Sequence, residues 1–133
     1  MYPLTSLVTV LALILYFVVT LNVGRARAKY KIAPPQMSGD PNFERAVRVQ
    51  QNTLEQLIFF LPLLWLFSLY VSPLWGAGVG FVWVIGRAAY AWGYYQAAEK
   101  RALGFAIGSL SSMVLLLGSL IGIGLQLIEQ VSR

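Results

Sequence analysis

The sequence predicts an all-α integral membrane protein, a four-helix bundle of left-handed up-down topology that occupies residues 1–133 as one domain. Three observations carry that expectation. Of the 133 residues, 58% are hydrophobic and only 11% charged, with a mean hydropathy of +0.68, a balance too apolar for an ordinary water-soluble domain. Three windows, residues 1–24, 56–86 and 102–128, carry no charged side chain, and a helix needs about 20 mostly apolar residues to cross the hydrocarbon of a bilayer. The middle window is divided by Ser72-Pro73, an N-cap residue followed by proline at a first helical position, so it holds the end of one span and the start of the next.

Four spans are therefore expected, at residues 4–23, 41–70, 73–100 and 103–130. The first has no charged segment ahead of it and its basic residues follow the apolar run, so it reads as a retained helix rather than a signal peptide. The second starts at Asp40-Pro41, where Asp40 caps orphan amides and Pro41 suits the first turn. At 1.5 Å per residue it is about 45 Å long and outlasts the hydrocarbon, with a bend expected at Pro62. In the fourth span Gly104, Gly108, Ser112, Gly118 and Gly122 recur at mostly four-residue spacing, a pattern that lets helices approach closely. Residues 33–39 form a proline-bearing loop.

The segment from Arg25 to Arg48 carries six Arg and Lys against Asp40 and Glu44, while the connection at residues 71–74 is uncharged. The positive-inside rule places that basic first loop in the cytoplasm. Four spans then put Lys100 and Arg101 on the same side, so the first and third loops are cytoplasmic and both termini lie opposite. The expected setting is a bacterial inner membrane or, in a eukaryote, the endoplasmic reticulum.

Composition also narrows the chemistry. The ten Lys and Arg and five Asp and Glu give a net charge of +5, but the cations sit between apolar runs and form no basic stripe of the kind that binds nucleic acid. With neither Cys nor His, the chain has no cysteine nucleophile, thiolate metal site or Ser-His-Asp triad, and no metal is expected. A reactive group therefore arrives with the substrate.

Polar groups at membrane depth are costly and need a partner or a function. At 100° per residue, Arg48, Gln51, Asn52 and Glu55 share about one third of the second helix's circumference, whereas Gln50 points almost the opposite way. On the third helix Arg87, Tyr90, Tyr94 and Arg101 fall within about 60° of one another, a stripe that leads towards the cytoplasmic end. Structural readings exist for each: an Arg48–Glu55 pair, an interhelical hydrogen bond from Asn52, and tyrosines of the aromatic belt beside snorkelling arginines. Taken together, the guanidinium donors, amides, carboxylate and phenols form an inventory suited to a small, zwitterionic, peptide-like ligand.

The run Phe43-Glu44-Arg45-Ala46-Val47-Arg48-Val49-Gln50-Gln51-Asn52-Thr53-Leu54-Glu55, followed by Arg87-Ala88-Ala89-Tyr90-Ala91-Trp92-Gly93-Tyr94 and by Arg101, resembles the MAPEG superfamily, the membrane-associated proteins of eicosanoid and glutathione metabolism. The likeness extends over nearly the whole chain. It implies a homotrimer with glutathione, as co-substrate, bound between neighbouring subunits near the cytoplasmic face. Arg48, Asn52, Glu55, Tyr90, Tyr94 and Arg101 would line the site from one protomer, with Arg27 and Gln50 supplied by the next. In that scheme Glu55 receives the glutathione amino group, the arginines hold carboxylates, the two tyrosines position the cysteinyl part, and Arg101 is the catalytic residue, stabilising the thiolate.

Gln56 stands where some eicosanoid-forming members carry a tyrosine that contacts glutathione, and Ala28 where the leukotriene-C synthases carry a second arginine. The resemblance therefore points to a general glutathione transferase with associated lipid-hydroperoxide peroxidase activity, as in the microsomal and bacterial branches. Competing expectations are a non-enzymatic lipid-binding partner of the same fold and, from another class, a small multidrug transporter using Glu55 as proton carrier.

Overall fold

The computed structural model describes residues 1–133. Four long helices follow in order: α1 (Pro3–Tyr30), α2 (Pro41–Tyr70), α3 (Pro73–Gln96) and α4 (Ala102–Val131), with a short 3-10 turn at Ala98–Arg101 between the last two. All four helical stretches are long and apolar enough to cross a bilayer, and the chain is a multi-pass membrane protein.

Local chemistry explains each boundary. Pro3 sits in the first turn of α1, and the helix ends where Lys31 adopts a left-handed conformation (φ 56°). The helix runs to Tyr30, seven residues past the expected end at residue 23. Arg25, Ala26, Arg27, Ala28 and Lys29 are good helix formers, and the loss of hydropathy there ends the apolar run without ending the helix. At the start of α2 the Asp40 carboxylate accepts from the Asn42 amide at 2.8 Å, while Glu44 reaches back to the Gly39 amide at 3.0 Å. The helix continues through Pro62 without interruption. Ser72 caps α3 as its spacing predicts, its Oγ accepting from the Trp75 amide at 3.2 Å.

Two sets of contacts establish the up-down arrangement. At one end Thr5 of α1 and Ser68 of α2 share a buried hydrogen bond of 2.9 Å. At the other, Asn22 of α1 donates to the Tyr95 hydroxyl of α3 at 3.1 Å, and the Arg27 guanidinium lies 5.0 Å from the centre of the Phe43 ring of α2. The main core joins Val8 and Ala12 of α1, Leu57, Phe60 and Leu64 of α2, Trp83 of α3 and Leu115 of α4. Phe60 and Trp83 stack in parallel at 4.0 Å. Outside this core, Leu7, Ile14, Phe17, Leu110, Leu120 and Leu125 are exposed, an apolar exterior that water would not favour and lipid does.

The small residues of α4 work inside the bundle. A side chain at Gly104 would run into the backbone of Tyr90 on α3, and one at Gly122 would meet the Tyr70 carbonyl of α2 at 2.8 Å. Close approach of α4 to α3 fixes the level at which the chain must turn back, and α3 ends at Gln96 instead of the expected residue 100. Ala97 is extended (φ −164°, ψ 143°) and the 3-10 turn follows.

Candidate functional site

The end of the bundle that carries the basic loop holds a cavity of about 770 Å3 between α2, α3, the 3-10 turn and the start of α4. Arg48 and Asn52 reach it from successive turns of α2, and Tyr90 and Tyr94 from successive turns of α3. The two tyrosine rings meet edge to face at 5.6 Å, and Phe105 of α4 lies 6.1 Å from Tyr90. Arg101 comes from the 3-10 turn, where its Nη1 donates to the Ala98 carbonyl at 2.7 Å and its guanidinium stands 5.4 Å from the Tyr94 ring. That placement is a correction to the helical stripe: Arg101 shares the cavity with both tyrosines because the chain breaks at Ala97 and folds back, not because α3 continues.

Five of the eight expected site residues thus share one cavity: Arg48, Asn52, Tyr90, Tyr94 and Arg101. The other three stand elsewhere in the single chain. Arg27 is tied into the first loop, its Nη1 donating to the Gln36 carbonyl at 2.7 Å and its Nη2 approaching Met37 Sδ at 3.3 Å. Gln50 lies on the far face of α2 and donates to Thr20 of α1 at 3.3 Å. Glu55 is exposed on α2, about one turn beyond Asn52. No Arg48–Glu55 pair forms; the single ion pair in the chain is Arg133–Glu129. Asn52 makes no interhelical bond through its carbonyl, since Oδ1 is buried without a partner.

Sequence reasoning missed Glu99 and Phe105, which also line the cavity. Nothing in local periodicity singles them out, because their positions depend on how the 3-10 turn reverses the chain. It also misplaced Arg87, which lies buried at 1% exposure instead of snorkelling. Its Nη2 donates to Thr53 Oγ1 at 2.9 Å, and its guanidinium lies 4.0 Å from the Tyr90 ring centre.

Two guanidinium groups and one carboxylate, Glu99, face a space walled by two phenols and a phenyl ring. The balance suits an anionic or zwitterionic ligand carrying carboxylates, and the cavity lies within a bundle of membrane-spanning helices. The family model described as the MAPEG family matches residues 5–121. An uncharacterized protein of Synechocystis is 61% identical over 128 residues, covering 96% of this chain and 93% of its own length. Microsomal glutathione S-transferase 2 of Homo sapiens is 42% identical over 101 residues, 75% of this chain and 69% of that protein. Leukotriene C4 synthase of Cavia porcellus is 37% identical over 98 residues, 74% of this chain and 65% of the synthase. The chain belongs to the MAPEG family.

Proposed function

We propose that the protein is a membrane-bound glutathione transferase that binds glutathione in the cavity, activates it as a thiolate and conjugates it to hydrophobic electrophiles that enter from the bilayer. The observation that carries this reading is the convergence of Arg48, Asn52, Tyr90, Tyr94 and Arg101 on one cavity, in a chain similar to a microsomal glutathione S-transferase. An ordinary cysteinyl thiol has a pKa of about 8.5 and is mostly protonated at neutral pH. The Arg101 guanidinium beside the sulfur favours the thiolate. The thiol proton leaves to water; the sulfur pair forms a carbon–sulfur bond as the electrophile's leaving group departs with its bonding pair.

Arg27 and Gln50, away from the cavity of their own chain, serve a neighbouring subunit in a homotrimer, and Glu55 meets the ligand's amino group once that neighbour closes the site. The opposed directions of Asn52 and Gln50 on α2 support this division. The basic first loop and the cavity face the cytoplasm. A lipid hydroperoxide is a second acceptor: the thiolate attacks the distal oxygen, an alcohol departs, and a second glutathione converts the sulfenic acid to the disulfide and water.

The test is conjugation of glutathione to a hydrophobic aryl halide by purified protein in detergent. The expected result is saturable turnover that falls by roughly 10- to 30-fold in Arg101→Ala at neutral pH. Glutathione binding without turnover toward aryl halides, activated alkenes or hydroperoxides would contradict the enzyme reading and favour a lipid-binding partner of the same fold.

A further inference from the structure

Arg87 is the one fully buried charge in the molecule, at 1% exposure among α2, α3 and α4, and the conjugation chemistry described above does not use it. Its surroundings are unusual for a buried cation. No carboxylate touches it, since the only ion pair in the chain is Arg133–Glu129. Of its five N–H donors, one meets Thr53 Oγ1 at 2.9 Å, and Nε is buried with no partner. Thr53 itself is held by donating to the Val49 carbonyl at 2.7 Å, so its oxygen is fixed for Arg87. The stem has a prepared place: a side-chain carbon at Gly108 of α4 would lie 3.3 Å from Arg87 Cδ. A buried charge left this short of partners is expensive, and stability alone gives no reason for it.

The guanidinium lies over the face of the Tyr90 ring, 4.0 Å from its centre. Tyr90 is 3% exposed and turned to the cavity. The groups facing it there are Arg48 from α2, Tyr94 from α3, and Glu99 and Arg101 from the 3-10 turn. A cation on the ring face withdraws electron density from the phenol and makes its O–H a stronger donor. A guanidinium has no acceptor, so Arg87 leaves the Tyr90 hydrogen free for the ligand.

We propose that Arg87 is a positioning residue for the reaction: held by Thr53 and seated over Gly108, it fixes the Tyr90 ring and polarises its hydroxyl as the hydrogen-bond donor to the glutathione sulfur. Arg101 then acts on the thiolate from the solvent side and Arg87 from the protein side, through Tyr90. The inference rests on the glutathione transferase reading.

The test titrates the thiolate of bound glutathione by its ultraviolet absorbance in wild type, Arg87→Met, Arg87→Lys, Tyr90→Phe and the double variant Arg87→Met/Tyr90→Phe. Arg87→Met is expected to raise the apparent thiol pKa by about one unit, about tenfold less thiolate at any pH well below it. Arg87→Lys restores part of the shift, and Arg87→Met adds nothing once Tyr90 is Phe. Thr53→Val, which removes the acceptor at constant shape, shifts the titration the same way and replaces Arg87→Met should that variant not fold. An unshifted titration, or a shift of equal size with and without the Tyr90 hydroxyl, overturns the role given to Arg87 while leaving the transferase reading intact. Absence of any thiolate in the wild type overturns both.

Discussion

Replacing Arg101 by alanine probes the proposed chemistry at its reacting atom. A unit charge pair at about 4 Å interacts by about 1 kcal/mol in water and about 4 kcal/mol at an effective dielectric of 20. Arg101 is exposed on its 3-10 turn, so solvent screening holds its effect to the lower part of that range, about 1.5–2 kcal/mol. That energy corresponds to about 1–1.5 pKa units on the sulfur. Arg101→Ala should therefore raise the apparent pKa of bound glutathione by about that amount, a roughly 10- to 30-fold loss of thiolate at a pH below both values. Because the group is exposed, the difference between wild type and variant should shrink as salt is raised. Arg101→Lys keeps the charge but not the planar fork, and should fall between the two. Thiolate absorbance against pH, in detergent, is the assay. Superimposable titrations of wild type and Arg101→Ala would refute the assignment.

Three further outcomes follow from the packing. Gly93→Val drives a side chain into the Lys100 carbonyl, so it should displace the turn that carries Arg101 and lower turnover at least tenfold while circular dichroism shows the helices retained. Gly104→Leu overpacks the α3–α4 contact at Tyr90 and should cost about 1–3 kcal/mol, measured as a lower thermal midpoint. Asp40→Ala removes the acceptor for the Asn42 amide and should cost about 1 kcal/mol in the same measurement, with glutathione turnover unchanged at temperatures where the protein is folded.

The features legible in the sequence are those that depend on a single element. Uncharged runs mark the four spans, and Asp40 and Ser72 cap α2 and α3 where their spacing places them. The α2 face of Arg48 and Asn52 and the α3 face of Tyr90 and Tyr94 follow from 100° per residue and meet at the cavity. What periodicity does not hold is pairing between elements. Thr53 lies among the residues of the α2 motif, yet only the approach of α3 makes it the partner of Arg87. The glycines of α4 announce close contact, but the sequence leaves open whether inside or between protomers; Gly104 against Tyr90 and Gly122 against Tyr70 place these contacts inside the bundle. Arg101 reaches the expected site by an unexpected route, because an extended Ala97 and a 3-10 turn, not a longer helix, bring it beside Tyr94. The length of α1 was hidden for a simpler reason: hydropathy registers where the apolar run stops, and the basic helix formers beyond it carry the helix on to Tyr30.

Glutathione binding is the central claim, and calorimetric titration of the detergent-solubilised protein with glutathione tests it most directly. The account predicts saturable binding that weakens by about tenfold or more in Arg48→Ala, the loss of a charge-assisted hydrogen bond to a ligand carboxylate. No heat of binding at glutathione concentrations up to the millimolar range, or binding that is indifferent to Arg48, would contradict it.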